Sequence, residues 1–161
     1  MLFRSRAGIG RTFALVGDGS YLMMNSDIYS AALAGIDLTI LVCDNGGYAV
    51  IERLQVGQGG NSYNNMLRDA RGNTGARVDF VSHAASMGAH AQGVSTYAEL
   101  QDALGNLRPG VNVIVVPVRE SDWTEGGAFW QVGLPEVSER VEVRVARERM
   151  DAGLKSQRRG V

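Results

Sequence analysis

Polar and glycine residues are concentrated in two short stretches of the sequence, Gly-Asp-Gly-Ser at 17–20 and Asp-Asn-Gly-Gly at 44–47. Asp18 supplies a carboxylate and Asn45 an amide oxygen, while the neighbouring glycines free main-chain groups for contact with a ligand. A carboxylate, an amide oxygen and a backbone carbonyl form half of an octahedron around a hard cation, which Mg²⁺ usually completes with phosphate oxygens and water. The residue types therefore indicate a site for a metal-bridged diphosphate.

The predicted secondary structure brings the two stretches together. Phe13–Val16 and Leu38–Cys43 are short apolar runs typical of strands buried on both faces, and a polar stretch follows each one. Because the loops at the carboxyl ends of neighbouring parallel strands converge, we expect Asp18 and Asn45 to lie close together in space.

The segment between the two strands has the signals of a tight turn followed by a helix. Two glycines allow the backbone to turn sharply, and the N–H groups of Gly19 and Ser20 are suited to bind a phosphate near the start of the helix. Asn25 or Ser26 is suited to cap that helix, and Gly35 ends it. Strand, turn, helix and strand together form one βαβ unit.

Strands and helices continue to alternate along the rest of the chain. The sequence predicts a long polar loop from about 48 to 77, then a helix from Asp79 that Gly88 ends and a short strand from His90 to Val94. A helix follows, opened by a capping box at Thr96 and Glu99. The last predicted elements are a strand from Asn112 to Val118 and a charged helix capped by Ser138. This alternation predicts an α/β fold, a doubly wound parallel sheet with flanking helices.

Length and composition limit the classes of function. The 161 residues are enough for one domain with a proper core, and the net charge of −1 gives no attraction to nucleic acid or to a membrane surface. The single cysteine, Cys43, excludes an internal disulfide, and its position in an apolar strand indicates a buried, inert thiol. No stretch is apolar enough to span a bilayer, and the start has no secretory signal. We therefore expect a cytoplasmic protein.

The order GDGS, helix, apolar strand and DNGGY resembles the cofactor-binding motif of the thiamine-diphosphate-dependent enzymes. The resemblance implies that the side chains of Asp18 and Asn45 and the carbonyl of Gly47 bind Mg²⁺. The cofactor contacts implied for the whole motif are Gly17, Asp18, Gly19, Ser20, Asn45, Gly47 and Tyr48. A Rossmann-like nucleotide-binding module without catalytic activity is the alternative interpretation of these glycine-rich turns.

Three further segments narrow the resemblance, namely GDGSYLMMNSDI, VDFVSHAASMGA and GGAFWQVGLPEVSER. They resemble the hydrolases that open the ring of 3D-(3,5/4)-trihydroxycyclohexane-1,2-dione in myo-inositol catabolism, and the resemblance extends from about Phe13 to Arg149. It implies thiamine diphosphate and Mg²⁺ as cofactors, cleavage of a carbon–carbon bond in a cyclic dione, and a homo-oligomer, either a dimer or a tetramer. An enzyme similar to acetolactate synthase or to a 2-oxo acid decarboxylase is the alternative.

Enzymes of this family have three domains, and the chain resembles most of the last one. We expect residues 1–11 to be non-native or connecting, 12–120 to form the pyrophosphate-binding domain, and 121–161 to form an aromatic loop and a C-terminal helix packed on it. The thiamine-diphosphate-binding fold is then truncated at the N-terminus. The resemblance places the glutamate that activates the cofactor in a missing domain, so no catalytic residue is assigned here and the chain alone is expected to be inactive.

Four features are predicted to lie outside the chemistry. Glu52 is displaced by one position from the place where some related decarboxylases carry a catalytic glutamate, so we interpret it as a surface residue. His83 and His90 have no partner in the sequence, and each is interpreted as a partly buried packing or hydrogen-bonding residue. The loop from 48 to 77 is predicted to be a flexible lid.

Overall fold

The computed structural model describes residues 10–70, 77–121 and 133–156. Four strands and six helices alternate along these residues. They are β1 (Thr12–Gly17), α1 (Asp18–Met23), α2 (Ser26–Leu33), β2 (Leu38–Asp44), α3 (Ala49–Gly57), α4 (Phe80–Ser86), β3 (His90–Gly93), α5 (Tyr97–Gly105), β4 (Val111–Pro117) and α6 (Val141–Ser156), with a 3₁₀ turn at Leu67–Asp69. No helix among the described residues has the length and apolar character needed to cross a bilayer.

The strands form one parallel sheet in the order β1-β2-β4-β3. In this sheet Gly17 at the end of β1 pairs with Cys43, and Asp44 at the end of β2 pairs with Pro117. The chain therefore leaves β1 and β2 at the same edge, one residue apart in register. This pairing brings Asp18 and Asn45 close together at one edge of the sheet, as the sequence predicts.

Helices cover both faces of the sheet, which confirms the doubly wound fold. On one face, α1, α2 and α4 pack on the strands around Ile28, Val42 and Val113, which are all almost fully buried. On the other face, α5 packs through Ala103 against Ile114 of β4. Alternate residues of each strand point to opposite faces, so a strand with helices on both sides must be apolar throughout.

β1 is the edge strand of the described sheet, and β2 is its one partner among the described residues. Phe13 and Leu15 are 57% and 73% exposed. The register places Leu15 in the same row as Ile114, so this is the face that α5 covers further along the sheet. Among the described residues, the apolar cluster under α5 includes Ile114 and Val116 of β4 and no residue of β1.

Two local predictions are wrong. The turn at GDGS is the first turn of α1, which begins at Asp18, and α2 follows almost without a break. Asn25 therefore has helical angles (φ −65°, ψ −26°) where a capping residue needs an extended backbone, and its amide donates instead to the carbonyl of Leu22. Ser26, the other predicted cap, is the first residue inside α2. The predicted loop from 48 contains α3 over Ala49–Gly57, so this part is ordered structure rather than a flexible lid.

The other local signals behave as predicted. Asp79 caps α4 by accepting a hydrogen bond from the N–H of Ser82, and Thr96 and Glu99 form the complete capping box of α5. Ser138 is an exception: its hydroxyl accepts from the N–H of Arg140, which precedes α6, so it does not cap a residue of that helix. The aromatic segment at 122–132 lies outside the described residues, and so does the start of the chain up to residue 9.

Candidate functional site

Asp18 is the centre of the candidate site. It is the first residue of α1, it follows β1 directly, and only 3% of its surface is exposed. Its Oδ2 accepts a hydrogen bond of 2.7 Å from the N–H of Gly47, which belongs to the loop after β2. The two polar stretches, far apart in sequence, are therefore in direct contact.

The amide of Asn45 completes this contact. One terminal atom of the amide lies 3.0 Å from the carbonyl oxygen of Gly47 and 3.0 Å from Oδ1 of Asp18. With the NH₂ group in that position, the amide donates to both oxygens; with the amide turned over, its own oxygen faces both of them. Neighbouring oxygen ligands in an octahedron around Mg²⁺, with bonds of about 2.1 Å, lie about 3.0 Å apart. The oxygen of the turned amide would thus lie at the spacing of neighbouring Mg²⁺ ligands from each of the other two oxygens.

The donor chemistry also fits a hard cation. One carboxylate, one amide oxygen and one main-chain carbonyl are the ligand types of Mg²⁺, whereas Zn²⁺ prefers thiolate and imidazole. Among the described residues, no cluster of three or more His, Cys, Asp or Glu side chains is arranged to hold a metal. The three oxygens from Asp18, Asn45 and Gly47 are therefore a magnesium-type set.

Electrostatics at Asp18 point the same way. Burial raises the pKa of the Asp18 carboxyl group, and the negative charge of Asp44 raises it further. The N–H groups of Gly47, Gly19 and Asn45 act in the opposite direction and lower it. On balance the pKa is raised, which means that the charged carboxylate is held at a cost in free energy. A cation at this position would offset that cost.

Burial also raises the pKa of the nearby Cys43 thiol, with the charge of Asp18 as the second cause. A raised pKa disfavours the thiolate, which is the nucleophilic form. Cys43 is half-buried, and the prediction of an inert thiol agrees with both observations.

Gly47 is held through its two neighbours by a short piece of chain, Asn65–Leu67, which we call the cover segment. Met66 pairs with Gly47 in an antiparallel bridge, and the N–H of Leu67 donates to the carbonyl of Gly46 over 2.9 Å. Gly47 has a φ of +146°, and a Cβ there would lie 2.5 Å from the carbonyl oxygen of Asn65. Only glycine therefore fits at position 47.

Tyr48 lies on the other side of the loop, against Gly19. A Cβ on Gly19 would come within 2.6 Å of the Tyr48 ring, so the ring packs directly on the glycine backbone. Gly17 lies in the N-cap position of α1 with an extended backbone, and Ser20 is exposed in the first turn. The structure thus gathers all seven predicted site residues around the carboxyl ends of β1 and β2.

A cavity of about 150 Å³ opens beside these residues. Asp18, Gly47 and Tyr48 contribute to its wall, and Arg77 and Asp44 lie on it as an ion pair 3.7 Å apart. A second, apolar cavity of about 90 Å³ lies beside β1 under α1 and α2, and of the predicted site residues only Ser20 reaches it. Three of the predicted site residues thus line the first cavity, and one lines the second.

The residues predicted to lie outside the site behave in different ways. His83 is half-buried, and its Nδ1 lies 2.8 Å from the hydroxyl of Tyr21, which confirms a hydrogen-bonding role. His90 is exposed at the start of β3, which contradicts the expected partial burial. Glu52 was expected at the surface, but it is only 8% exposed. Ala49, three residues earlier, is also buried, so Ala49 and Glu52 lie on the same buried face of α3. This three-residue spacing can be seen in the sequence once α3 is recognised as a helix.

Comparison with known proteins agrees with this geometry. A family model described as "Thiamine pyrophosphate enzyme, C-terminal TPP binding domain" matches residues 6–118. The chain belongs to this family. Thiamine pyrophosphate is another name for thiamine diphosphate, and the matched region contains all seven predicted site residues together with the complete sheet.

Relatives of the family carry a more specific name. The chain is 34% identical over 141 residues to a 3D-(3,5/4)-trihydroxycyclohexane-1,2-dione hydrolase of Halalkalibacterium halodurans, which covers 84% of this chain and 22% of the relative. A hydrolase of the same name from Bacillus velezensis is 33% identical over 147 residues, covering 89% of this chain and 23% of the relative. The chain thus spans less than a quarter of the length of these curated relatives.

A solved structure supports the fold independently. The benzoylformate decarboxylase of Polynucleobacter necessarius superimposes on this thiamine pyrophosphate-binding domain with a TM-score of 0.62. The match covers 73% of this chain and 21% of the decarboxylase, at 24% sequence identity. At that identity the similarity establishes the parallel sheet with its flanking helices, and it carries no information on the substrate.

Proposed function

We propose that this chain holds the diphosphate and the Mg²⁺ ion of thiamine diphosphate in a hydrolase that opens the ring of a cyclic dione. Asp18, Asn45 and Gly47 would bind the metal, and the backbone around Gly17, Gly19 and Ser20, with Tyr48, would border the diphosphate. The observation that carries the proposal is the 3.0 Å spacing of the Asn45 amide from both Asp18 Oδ1 and the Gly47 carbonyl oxygen. That spacing matches neighbouring ligands around Mg²⁺.

The roles of these residues follow from their positions. Bound thiamine diphosphate supplies a carbon nucleophile for cleavage of carbon–carbon bonds next to carbonyl groups, and the protein positions it. Asp18 would provide the one full negative charge among the metal ligands, and its burial would strengthen the attraction to the ion by lowering the local dielectric. Asn45 would rotate its amide to turn the oxygen toward the metal. Tyr48 would fix the backbone of Gly19 from outside.

The substrate and the assembly belong to the same proposal. The relatives named trihydroxycyclohexane-dione hydrolase support a cyclic dione as the substrate and carbon–carbon bond hydrolysis as the reaction. Because the chain spans less than a quarter of their length, turnover would require the domains that it does not match, in a cytoplasmic homo-oligomer, either a dimer or a tetramer. The chain alone would bind the cofactor without opening the ring.

A thermal-shift measurement on this chain tests the cofactor site. Thiamine diphosphate with Mg²⁺ should raise the melting temperature, because a ligand that binds only the folded state at a hundredfold excess over its Kd adds about 2.7 kcal/mol of stability. The Asp18→Asn variant should lose the shift, while Asp102→Asn, the same substitution at an exposed carboxylate on α5, should keep it.

Two further arms separate the alternatives. Mg²⁺ with an adenine dinucleotide should give no shift, whereas a shift with that ligand alone would favour a Rossmann-like nucleotide module. Addition of the unmatched domains of a relative should restore ring opening of the cyclic dione. If the combined protein turned over pyruvate instead, the proposed substrate would be wrong while the cofactor site would stand.

A further inference from the structure

Glu52 is a buried acid to which the proposed cofactor chemistry assigns no role. The buried polar residues among those described are Asp18, Thr39, Glu52 and Asn112. Asp18 is a proposed metal ligand, and Thr39 and Asn112 accept hydrogen bonds at the opposite end of the strands. Glu52 projects from α3, away from that end. A carboxylate removed from water is costly unless its partners are well placed, so its contacts are informative.

The contacts of Glu52 lead to the cover segment. Its Oε2 accepts a hydrogen bond of 3.1 Å from the side-chain amide of Asn65, the first residue of that segment. Arg68 lies just beyond the segment, and its guanidinium is 3.7 Å from Oε1. Arg68 also pairs with Asp69 and with Glu120, which follows β4, so the charge of Glu52 is compensated within a network.

The cover segment in turn contacts the proposed metal loop. The N–H of Tyr48 donates to the carbonyl of Asn65 over 2.8 Å, and the carbonyl of Tyr48 accepts from the N–H of Glu52 over 2.9 Å. Side chain and backbone thus close a ring in which Glu52 binds Asn65, Asn65 binds Tyr48, and Tyr48 binds Glu52. Gly47, whose carbonyl is the proposed ligand, is the residue immediately before Tyr48.

Gly47 depends on this ring for its conformation. It lies in a left-handed region of backbone space, with a φ of +146°, where the chain needs support from its surroundings. That support comes from Met66, which pairs with Gly47 and is 2% exposed, and from the carbonyl of Asn65, which faces Gly47 closely. Displacement of Asn65 would therefore release Gly47, whose carbonyl oxygen lies 3.0 Å from the Asn45 amide.

We infer that Glu52 is a positioning residue for the metal and diphosphate site, which it supports through Asn65 by holding the cover segment against Gly47. The inference rests on the proposed function, because it concerns the same three metal ligands. It assigns Glu52 no contact with the cofactor. The decisive interaction is the hydrogen bond from the Asn65 amide, and the ion pair with Arg68 serves to balance the buried charge.

Binding measurements on single and double variants test the inference. Glu52→Ala should weaken Mg²⁺-dependent binding of thiamine diphosphate by about tenfold, the lower end of the range for residues that orient metal ligands indirectly. Glu52→Gln keeps an oxygen acceptor for Asn65 and should recover most of the affinity. Asn65→Ala also removes the 2.8 Å hydrogen bond from the Asn65 amide to Oε1 of Gln55, so it should weaken binding at least as much as Glu52→Ala. The double variant should be no weaker than Asn65→Ala, because the link to Glu52 is already lost in that single variant.

Amide hydrogen exchange provides a readout that needs no cofactor. In Glu52→Ala the N–H groups of Tyr48 and Leu67 should exchange faster, while the N–H of Leu38, at the opposite end of the strands, should keep its rate. Glu52→Gln should leave all three rates close to those of the unsubstituted protein. A general loss of stability would accelerate all of them together, so the pattern distinguishes local positioning from global unfolding.

Several results would overturn the inference. Wild-type affinity in Glu52→Ala, additive losses in the double variant, or unchanged exchange at Tyr48 would each show that Glu52 does not act through Asn65. Equal losses in Glu52→Gln and Glu52→Ala would assign the effect to charge instead. If the unsubstituted protein failed to bind thiamine diphosphate while Glu52→Ala still accelerated exchange at Tyr48, the proposed function would fail and the positioning role would survive.

Discussion

The two ends of the parallel strands use similar polar groups for opposite purposes. At the amino ends, a cation, carboxylate, hydroxyl and carbonyl groups satisfy one another. At the carboxyl ends, a carboxylate, an amide and a carbonyl are gathered so that oxygens converge. The charged groups at the amino ends are compensated by other groups of the protein, whereas the carboxyl ends keep an excess of negative charge.

Arg11 is responsible for the completeness of the amino end. One of its terminal nitrogens donates to the hydroxyl of Thr39 and to the carbonyl of Gly110, both over 3.2 Å. The other donates to Asp37 over 3.3 Å and to the carbonyl of Arg108 over 2.6 Å. One side chain thus ties the entry of β1 to the entries of β2 and β4, and its role is structural.

Among the residues that the structure describes, no cationic side chain forms an ion pair with Asp18 at the carboxyl end. Its hydrogen bonds come from neutral N–H groups such as that of Gly47. Burial therefore raises its pKa instead of being compensated. The difference between the two ends indicates that a binding site is recognised by polar groups left with unbalanced charge, rather than by the number of polar groups.

The largest expected effect follows from this contrast at Asp18. Asp18→Asn should reduce the affinity for thiamine diphosphate with Mg²⁺ at least a hundredfold, because the only charged metal ligand is lost. The stability of the ligand-free protein should stay equal or rise, since a buried charge is removed and the amide can still bond to Asn45. Calorimetric titration and chemical denaturation measure the two quantities. A clear loss of ligand-free stability would contradict the contrast.

The opposite result is expected at the amino end. Arg11→Met should lower the free energy of unfolding by about 2 kcal/mol, because the buried Thr39 hydroxyl and the carbonyl of Gly110 lose a hydrogen-bond partner. Cofactor affinity should not change. Arg149→Met, at an exposed position of α6, is the matched control and should leave both quantities unaltered. Denaturant titration gives the stability, and weaker cofactor binding in Arg11→Met would show that the two ends are coupled.

Two glycine-to-alanine substitutions test the importance of the carboxyl end with smaller expected effects. In Gly19→Ala the new methyl group would displace the Tyr48 ring, so cofactor affinity should fall about tenfold and stability by about 1 kcal/mol. Gly57→Ala, at the end of α3, meets nothing within 4 Å and should be neutral or stabilising by about 0.5 kcal/mol. Equal effects of the two substitutions would mean that Tyr48 does not border the site.

The buried hydroxyl group of Tyr21 should make the stability of the folded protein depend on pH in the alkaline range. Burial raises the pKa of its hydroxyl group to about 12, above the ordinary value of 10.0. A raised pKa means that the folded state favours the neutral phenol, so this contribution to stability is complete below pH 10 and is lost as the pH rises toward 12. Thermal melts across this range should show a decline that is smaller in Tyr21→Phe. An identical decline in both proteins would assign the effect to other groups.

Asp79 gives the smallest expected effect, at acidic pH. Hydrogen bonds from the hydroxyl and the backbone N–H of Ser82 lower the pKa of this capping carboxyl group. A lowered pKa adds stability that is present above the ordinary value and is lost as the pH falls through the folded value. Asp79→Asn keeps an acceptor for the cap but does not titrate, so its stability should vary less below pH 5. A parallel pH dependence would contradict the assignment.

The fold and the pairing of the two polar stretches follow from the sequence for one physical reason. Parallel strands with helices on both faces must be apolar throughout, so runs such as that of β2 are conspicuous and end abruptly at polar residues. Once two adjacent strands are recognised, topology alone brings Asp18 and Asn45 to one edge. The proximity of Asp18 and Asn45 was therefore predictable from strand recognition, whereas the choice of Gly47 as the carbonyl ligand came from the resemblance to the family.

The features that were missed depend on contacts between distant residues. α1 has only six residues and contains a glycine, so local preference does not reveal it. The cover segment has no signal of its own, because Met66 meets Gly47 only after the intervening helix has formed. Glu52 was misplaced for the same reason: its burial depends on Asn65 and Arg68, which no local pattern connects to it.

The strand order also has a consequence for how the molecule folds. β1 and β2 are successive strands, joined by α1 and α2, whereas β4 must insert between β2 and β3 from far along the chain. Pairing of distant segments is slow, because a long loop must close before any contact compensates for the lost entropy. We therefore expect Asp18 and Asn45 to meet early, in a local unit that forms before the sheet is complete.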